Sequence, residues 1–185
     1  MRAFIAIEIT KEIQETLSKL QAELKTAPAD AKWVEPENIH LTLKFLGEVE
    51  EQKIPRIIQS LKEVSRIFKP FMMELKNIGG FPTIQSPRVI WVGIEKGKEG
   101  LHELAASIED TLVKLKFPKE TRKFSSHLTI GRVKYIKDKK SFSQILSKAQ
   151  FSPLPQEVKS ITLFKSTLTP HGPIYEKLSE IGLTN

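Results

Sequence analysis

Apolar residues recur along this chain at two spacings, which separate the predicted helices from the predicted strands. Four segments carry apolar residues three or four positions apart, the spacing of one helical face. They predict helices over about residues 11–25, 54–68, 101–115 and 142–146. Thr10 is a suitable N-cap for the first, and Pro70 and Pro118 follow the second and third, where proline commonly ends a helix.

Segments rich in β-branched and aromatic residues lie between these helices and predict strands. The predicted strands cover residues 2–9, 32–34, 40–47, 71–78, 88–94, a segment that begins at residue 127, 157–168 and 173–180. A break is predicted at residues 79–82, and the loop over residues 79–87, with a glycine pair and two prolines, is a candidate cover for a cleft. Many of the pairings between these strands are expected to be local hairpins. The order therefore favours an α+β fold over a doubly wound parallel sheet.

Two of the predicted strands begin with nearly the same four residues. Residues 40–43 read His-Leu-Thr-Leu and residues 127–130 read His-Leu-Thr-Ile. Because side chains alternate along a strand, each histidine shares a face with its threonine, and the two apolar residues occupy the other face. Each copy follows one predicted helix and precedes another. The halves of the chain are therefore interpreted as a diverged duplication that forms two lobes around a shared cleft.

The paired imidazoles suggest acid–base chemistry at a phosphorus atom. An imidazole has an ordinary pKa of about 6.5, so near neutral pH one ring accepts a proton while another donates one. Two such rings on opposite sides of a phosphorus serve an in-line displacement, each contributing roughly 10²–10⁴-fold in rate. His40 and His127 are the candidate catalytic residues. Thr42 and Thr129 are the candidate hydroxyl donors to the non-bridging oxygens, although threonine is also simply a common strand residue.

Two cations near the motifs are candidates for contact with the phosphate. Lys44 shares a strand face with His40 on a regular strand, and we expect it to add positive charge there. Arg132 lies five residues after His127 and would point to the opposite face. A β-bulge at Gly131 would turn Arg132 back toward the site.

The charge of the chain favours an anionic partner. The 185 residues carry a formal net charge of +7 and no cysteine, with 39% hydrophobic and 28% charged residues. These values fit one ordinary globular domain, exclude disulfides and thiolate chemistry, and place nucleic acid first among anionic partners, unless the charge serves solubility alone. The N-terminal apolar run is too short for a signal peptide and no segment approaches a membrane span, so we expect a cytoplasmic protein that does not bind membranes.

Basic residues are concentrated between residues 114 and 140, where aromatic residues interleave with them. This mixture suits extended single-stranded nucleic acid, and the alternative is a solvated lysine-rich surface. The basic residues are Lys114, Lys116, Lys119, Arg122, Lys123, Arg132, Lys134, Lys137, Lys139 and Lys140.

Of the other two histidines, His102 lies in a predicted helix, is expected to be exposed and receives no role. His171 lies in a turn rich in proline and glycine, where a structural role and a functional role are about equally favoured. Neither motif carries a third ligand at a spacing typical of a zinc site, so we predict no metal and no cofactor.

The paired motifs and the residues around them resemble a known family. The paired His-x-Thr-x motifs are similar to those of the 2H phosphoesterase superfamily. Stretches 2–6, 33–34, 38–47, 87–93 and 172–175 resemble its 2′–5′ RNA ligase branch, whose members are also called RNA 2′,3′-cyclic phosphodiesterases. The similarity spans nearly the whole chain.

This resemblance implies a fold, a reaction and roles for individual residues. The expected fold is one α+β domain over residues 1–185, with two pseudo-symmetric, interleaved lobes around a central cleft. The expected reaction is metal-independent hydrolysis of an RNA 2′,3′-cyclic phosphate to a 2′-phosphate, with reversible 2′–5′ ligation as related chemistry. His40 corresponds to the proton donor and His127 to the proton acceptor, and Arg132 to a phosphate contact. The partner is an RNA with a cyclic phosphate end, tRNA fragments included, and we expect a monomer.

Two alternative functions keep the same cleft. The first is a non-catalytic RNA or nucleotide binder, which would show salt-dependent binding without turnover. The second is the same chemistry on a small cyclic nucleotide or an ADP-ribose cyclic phosphate. The matched pair of histidines argues against the first alternative, and the lysine-rich segment argues against the second.

Overall fold

The structure is a computed structural model that describes residues 1–170 and 172–185, so that His171 lies outside the described residues. It contains helices and antiparallel strands, which confirms the predicted α+β class. The helices are α1 Lys11–Leu24, α2 Ile54–Ser65, α3 Lys98–Val113 and α4 Lys139–Lys148. The strands are β1 Arg2–Glu8, β2 Ala29–Trp33, β3 His40–Glu48, β4 Phe71–Phe81, β5 Val89–Lys96, β6 His127–Ile136, β7 Leu154–Val158, β8 Ser160–Thr169 and β9 Gly172–Gly182.

The two strands that begin with His-Leu-Thr lie side by side in the middle of one sheet. The strand order is β7-β4-β5-β6-β3-β1-β8-β9, and β2 pairs with β6 beyond the point where β3 leaves it. β3 and β6 join the two half-sheets through one pair of Cα partners, Leu41 and Leu128. The repeated sequence therefore forms the junction of the sheet.

Each half-sheet is built from both halves of the chain. β2 and β4 lie in the first half of the chain but belong to the half-sheet of β6, and β8 and β9 lie in the second half but belong to the half-sheet of β3. The two half-sheets consequently exchange two strands each. This exchange makes the lobes interleaved instead of consecutive.

The main hydrophobic core lies between the helices and one face of the sheet. Leu41 and Leu128 are fully buried in it, together with Leu17 of α1, Leu61 of α2 and Ile108 of α3. Burying one leucine side chain contributes roughly 1.5–3 kcal/mol, so the leucine pair is a strong reason for this register of β3 and β6. The opposite face of the sheet carries the polar residues of both motifs.

Several predicted element boundaries differ from the structure. β4 continues through the predicted break at residues 79–82 as far as Phe81, because Gly79 is the Cα partner of Trp91 and leaves space for its indole. β2 begins at Ala29, three residues before the predicted strand 32–34, because it pairs with the distant strand β6. The predicted strand 157–168 is two strands, β7 and β8, which pair with β4 and β1 respectively.

Candidate active site

The four motif residues surround the point at which β3 and β6 pair. Directly opposite residues on antiparallel strands share a face, so the buried pair of Leu41 and Leu128 places the half-buried histidine and threonine of each motif together on the other face. His40 directly precedes Leu41 on β3 and His127 directly precedes Leu128 on β6, so each histidine lies next to the point at which the two strands meet.

Both imidazoles are oriented by the same backbone contact. Nδ1 of His40 lies 2.7 Å from the carbonyl oxygen of Asn38, and Nδ1 of His127 lies 2.7 Å from the carbonyl oxygen of Ser125. A carbonyl oxygen only accepts hydrogen bonds, so Nδ1 carries the hydrogen in each ring and Nε2 of the neutral ring is an acceptor. Each ring therefore presents Nε2 for proton transfer, and each carbonyl belongs to the residue two positions before the histidine.

Burial favours the neutral form of both rings. It lowers the pKa of His40 from its ordinary value of 6.5, against the hydrogen bond to Asn38. Burial also lowers the pKa of His127, against the hydrogen bond to Ser125, and the positive charge of Arg132 lowers it further. Without an anion in the cleft, both rings are therefore mainly neutral at pH 7.

Aromatic side chains hold His40 on the polar face of the sheet. Its ring stacks on Phe4 at a centroid distance of 4.7 Å and meets Tyr175 edge-on at 5.3 Å. Phe4 in turn stacks on Phe164 at 5.2 Å. Together with Ala6, these two phenylalanines form a second hydrophobic cluster, separate from the main core.

A second aromatic group holds His127 in the other half-sheet. Phe81, the last residue of β4, meets the imidazole edge-on at 5.1 Å, and Trp91 of β5 meets it at 6.3 Å. Nε1 of Trp91 is buried and has no hydrogen-bond partner among the described residues. The indole is therefore positioned by ring packing, and the space for it is left by Gly79.

A bulge in β6 turns Arg132 toward the histidines. In the pairing with β5, Gly131 is the partner of Ile90 and Thr129 is the partner of Trp91, so Ile130 is left without an opposite residue. The extra residue reverses the alternation, and Arg132 then shares a face with Thr129. Burial lowers the pKa of His127 and the charge of Arg132 lowers it further, whereas burial raises the pKa of Tyr175 and the same charge opposes that rise. The predicted bulge beside Gly131 is present.

The corresponding bulge in β3 removes Lys44 from this face, so the expectation that Lys44 adds charge beside His40 is wrong. Thr42 is the partner of Ala6 and Lys44 is the partner of Ile5, so Leu43 is left without an opposite residue. The Lys44 side chain is 3% exposed, and its ammonium donates to Glu109 at 3.0 Å and to the carbonyl oxygen of Pro118 at 3.1 Å.

The remaining expectations concern His102, metals and membranes. His102 is half-buried, not exposed, because its ring packs edge-on against Phe124 at 5.2 Å. Residues 1–170 and 172–185 contain no group of three histidine, aspartate or glutamate side chains arranged to hold a metal ion. None of the helices in the described part of the chain has the length and apolar character needed to cross a bilayer.

Comparison with known families matches both halves of the chain. The sequence model of the family described as LigT like Phosphoesterase matches residues 7–91 and again residues 92–175. The chain belongs to this family. The resemblance to the 2H phosphoesterase superfamily is thereby confirmed. Because one family model matches two consecutive halves, the match also supports an internal duplication.

Relatives of this LigT-like protein cover nearly its whole length. A Methanocaldococcus jannaschii protein named RNA 2′,3′-cyclic phosphodiesterase is 42% identical over 181 residues, which are 97% of this chain and 99% of the relative. A Thermotoga maritima protein of the same name is 41% identical, over 97% of this chain and 94% of the relative.

Solved structures share the fold. The Thermus thermophilus protein TT0787 matches with a TM-score of 0.84 and 28% identity, over 99% of this chain and 98% of that one. The E. coli LigT complexed with 3′-AMP matches with a TM-score of 0.79 and 25% identity, over 100% and 98% of the two chains.

Sequence reasoning on this LigT-like chain missed the residues that hold the imidazoles in place. Phe4, Trp91 and Tyr175 lie within the stretches that carried the family resemblance, and that was the available signal. The carbonyl groups of Asn38 and Ser125 left no signal, because every residue has a carbonyl and only the backbone path aims it.

Proposed function

We propose that this protein hydrolyses RNA 2′,3′-cyclic phosphate ends to 2′-phosphates without a metal ion. The observation that carries the proposal is the matched orientation of the two imidazoles. Both Nδ1 atoms are held by a carbonyl oxygen at 2.7 Å, on one face of the sheet and on either side of the single β3–β6 junction. The names of the Methanocaldococcus jannaschii and Thermotoga maritima relatives support the same reaction.

The proposed reaction is one in-line displacement at phosphorus. Nε2 of His127 removes a proton from water while the water oxygen forms a new bond to phosphorus. The bond from phosphorus to O3′ breaks, and Nε2 of protonated His40 donates a proton to O3′ as it leaves. The products are a 2′-phosphate and a free 3′-hydroxyl. His127 is left protonated and His40 neutral, and proton exchange with solvent restores both rings for the next turnover.

The negative charge of the bound substrate favours the protonated form of one imidazole, which this step needs. One ring must carry a proton when the substrate binds, although burial favours the neutral form of both. A phosphodiester anion between the rings stabilises the protonated form of either ring. Thr42 and Thr129 donate hydroxyl hydrogens to the non-bridging oxygens, and Arg132 offsets their developing charge.

Replacement of water by a 5′-hydroxyl gives the related ligation. The hydroxyl oxygen attacks the same phosphorus, O3′ leaves with the proton from His40, and the product is a 2′–5′ phosphodiester. The reaction has no net hydrolysis and is reversible. We propose that the whole chain, residues 1–185, acts as one domain in this chemistry, because both half-sheets contribute one imidazole.

The test is incubation of an oligonucleotide that ends in a 2′,3′-cyclic phosphate, with and without EDTA. His40→Ala and His127→Ala are each expected to lower the rate by roughly 10²–10⁴-fold, with a 2′-phosphate as the product of the unaltered protein. His102→Ala is the matched control, because this half-buried histidine of α3 lies outside the motifs. Full activity of either motif variant, or loss of activity in EDTA, contradicts the proposal.

A sulfur substitution assigns the acid and the base. A cyclic phosphate with sulfur in place of the bridging O3′ has a leaving group that needs no proton. We expect this substrate to restore activity to His40→Ala but not to His127→Ala. Restoration of the His127 variant alone would reverse the two roles. Salt-dependent RNA binding without turnover of either substrate would favour a non-catalytic binder.

A further inference from the structure

Two cations face each other at the outer end of the polar face, on β2 and β6. Lys32 and Arg132 are Cα partners and both are exposed. Neither has a carboxylate within ion-pair distance in the described part of the chain. Like charges directly opposite each other on neighbouring strands are destabilising. This cost is removed when an anion binds beside the pair.

Lys32 lies close to the first residue of β9, in the other half-sheet. The Lys32 ammonium nitrogen is 3.9 Å from the position that a Cβ on Gly172 would occupy, and Gly172 is the first residue of β9. The charge of Arg132 acts on the pKa of His127 and of Tyr175. The two cations therefore have different surroundings, Arg132 beside the aromatic and imidazole rings and Lys32 beside the start of β9.

Tyr135 continues the same face one step beyond this pair. It is the partner of Asp30, and a bulge at Lys134 keeps it on the face of Arg132 while Val133 packs against the core. Its side chain is 64% exposed. Four regular strand steps separate it from Thr129, a distance of roughly 13 Å. The Tyr135 ring is therefore too far along the strand to share a phosphate with the Thr129 hydroxyl.

The exposed cations of β2 and β6 have no counterpart on β3, the other strand that begins with the motif. The position in β3 that corresponds to Arg132 is Phe45, which follows the equivalent bulge and is also 64% exposed. Nor do all the basic residues of the segment 114–140 belong to this face, since Lys119 forms an ion pair with Asp110 at 2.8 Å. An anionic strand is therefore favoured along β2 and β6 and not along β3.

We propose that Lys32 and Tyr135 form a subsite for the nucleotide that precedes the cyclic phosphate end of an RNA strand. Lys32 binds the phosphodiester of that nucleotide, and Tyr135 stacks on its base, as aromatic residues do in proteins that bind single strands. This proposal rests on the proposed function and deepens it. The preferred substrate becomes an oligonucleotide, and a mononucleotide 2′,3′-cyclic phosphate lacks the group that the subsite binds.

The test compares two substrates with the same reactive end. One is adenosine 2′,3′-cyclic phosphate and the other is a short oligoadenylate that ends in it. Tyr135→Ala is expected to lower kcat/KM for the oligoadenylate by roughly 5-fold to 150-fold, the range for loss of one stacked base. Lys32→Ala is expected to lower kcat/KM and to make its logarithmic salt dependence shallower by about 0.7, the value for one phosphate contact on a single strand. Both losses of kcat/KM are expected to come mainly from a higher KM.

Two variants and one binding measurement make the result decisive. Tyr135→Phe keeps the stacking ring and is expected to retain the oligoadenylate activity, and Lys19→Ala removes a comparable exposed charge on α1, outside the basic segment 114–140, and is expected to change the activity on neither substrate. Equal losses on both substrates, or no loss on the oligoadenylate, overturn the subsite. If the unaltered protein cleaves neither substrate, the proposed function fails. Fluorescence anisotropy with a labelled oligoadenylate ending in a 2′-phosphate then tests the subsite by itself, and equal affinity in all variants overturns it.

Discussion

Glu109→Gln is expected to destabilise this protein more than Lys44→Met, although both substitutions break the same ion pair. The asymmetry follows from burial, because the Lys44 side chain is 3% exposed and the Glu109 side chain is 25% exposed. Without the carboxylate, the ammonium stays buried and the carbonyl oxygen of Pro118 alone cannot neutralise its charge. Without the ammonium, the carboxylate still accepts from the backbone N–H of Glu120 and contacts water.

The magnitude follows from the cost of an unpaired buried charge. Removal of one partner from a fully buried pair costs about 3–5 kcal/mol, whereas replacement of the buried charge by an apolar side chain of similar volume is often neutral. Partial exposure of Glu109 reduces the first figure, so we expect about 2–3 kcal/mol for Glu109→Gln and below about 1 kcal/mol for Lys44→Met. For a domain of this size, the larger loss corresponds to a fall in Tm of about 4–12 °C.

The same pair connects the strand of His40 to the loop that leads to His127. Lys44 lies in β3, and its contacts reach Pro118 directly and Glu120 through Glu109. Glu109→Gln is therefore expected to lower kcat/KM as well as stability, since the loop places Ser125.

Urea unfolding of both single variants and the double variant measures the asymmetry. The double variant is expected to resemble Lys44→Met, because the buried charge that makes Glu109→Gln costly is then absent. Equal losses for the two single variants, or a greater loss for Lys44→Met, would refute the reasoning.

Three further predictions concern pH, packing and a helix end. The pH optimum of kcat/KM is expected below 6.5, the ordinary pKa of a histidine. The reactive form has one protonated and one neutral imidazole, and the pKa values of both rings lie below 6.5. A value of kcat/KM that keeps rising above neutral pH contradicts this prediction. Gly79→Ala is expected to cost about 1–3 kcal/mol and to lower kcat/KM by displacing Trp91, while Gly182→Ala, whose Cβ meets ordinary contacts, has little effect on kcat/KM. Asp138→Ala removes the N-cap of α4 and is expected to lower the urea concentration at the unfolding midpoint, with kcat/KM unchanged.

Acid pH alone, without any substitution, is expected to weaken the ion pair between Lys44 and Glu109. Burial alone would raise the pKa of Glu109, but the hydrogen bond from Glu120 and the charge of Lys44 outweigh it, and the pKa lies below its ordinary value of 4.5. A lowered pKa in the folded state contributes stability that is present above 4.5 and lost as the pH falls through the folded value. The acid limb of the stability profile is expected to be shallower in Glu109→Gln.

The sequence by itself predicted the four helices, most of the strands and the candidate residues of the site. Helical spacing depends on local order, so the four apolar stripes predicted all four helices, although the boundaries moved by a few residues. The repeated His-Leu-Thr placed one imidazole and one hydroxyl on the polar face of each strand, because the alternation of a strand is also local. The bulge that turns Arg132 was predictable because glycine permits one.

Only the tertiary structure decided how these pieces meet. The bulge at Leu43 buries Lys44, and nothing in the local pattern distinguishes it from a regular strand, because a bulge depends on the register against β1. Two further features are not local, namely the exchange of strands such as β4 and β8 between the half-sheets and the pairing of β2 with β6. Both depend on which pairing of distant strands buries the most apolar surface. The aromatic contacts of the two imidazoles also depend on this pairing of distant strands. They come from Phe4, Tyr175 and Trp91, and the packed sheet, not the neighbours in sequence, brings these rings to the histidines.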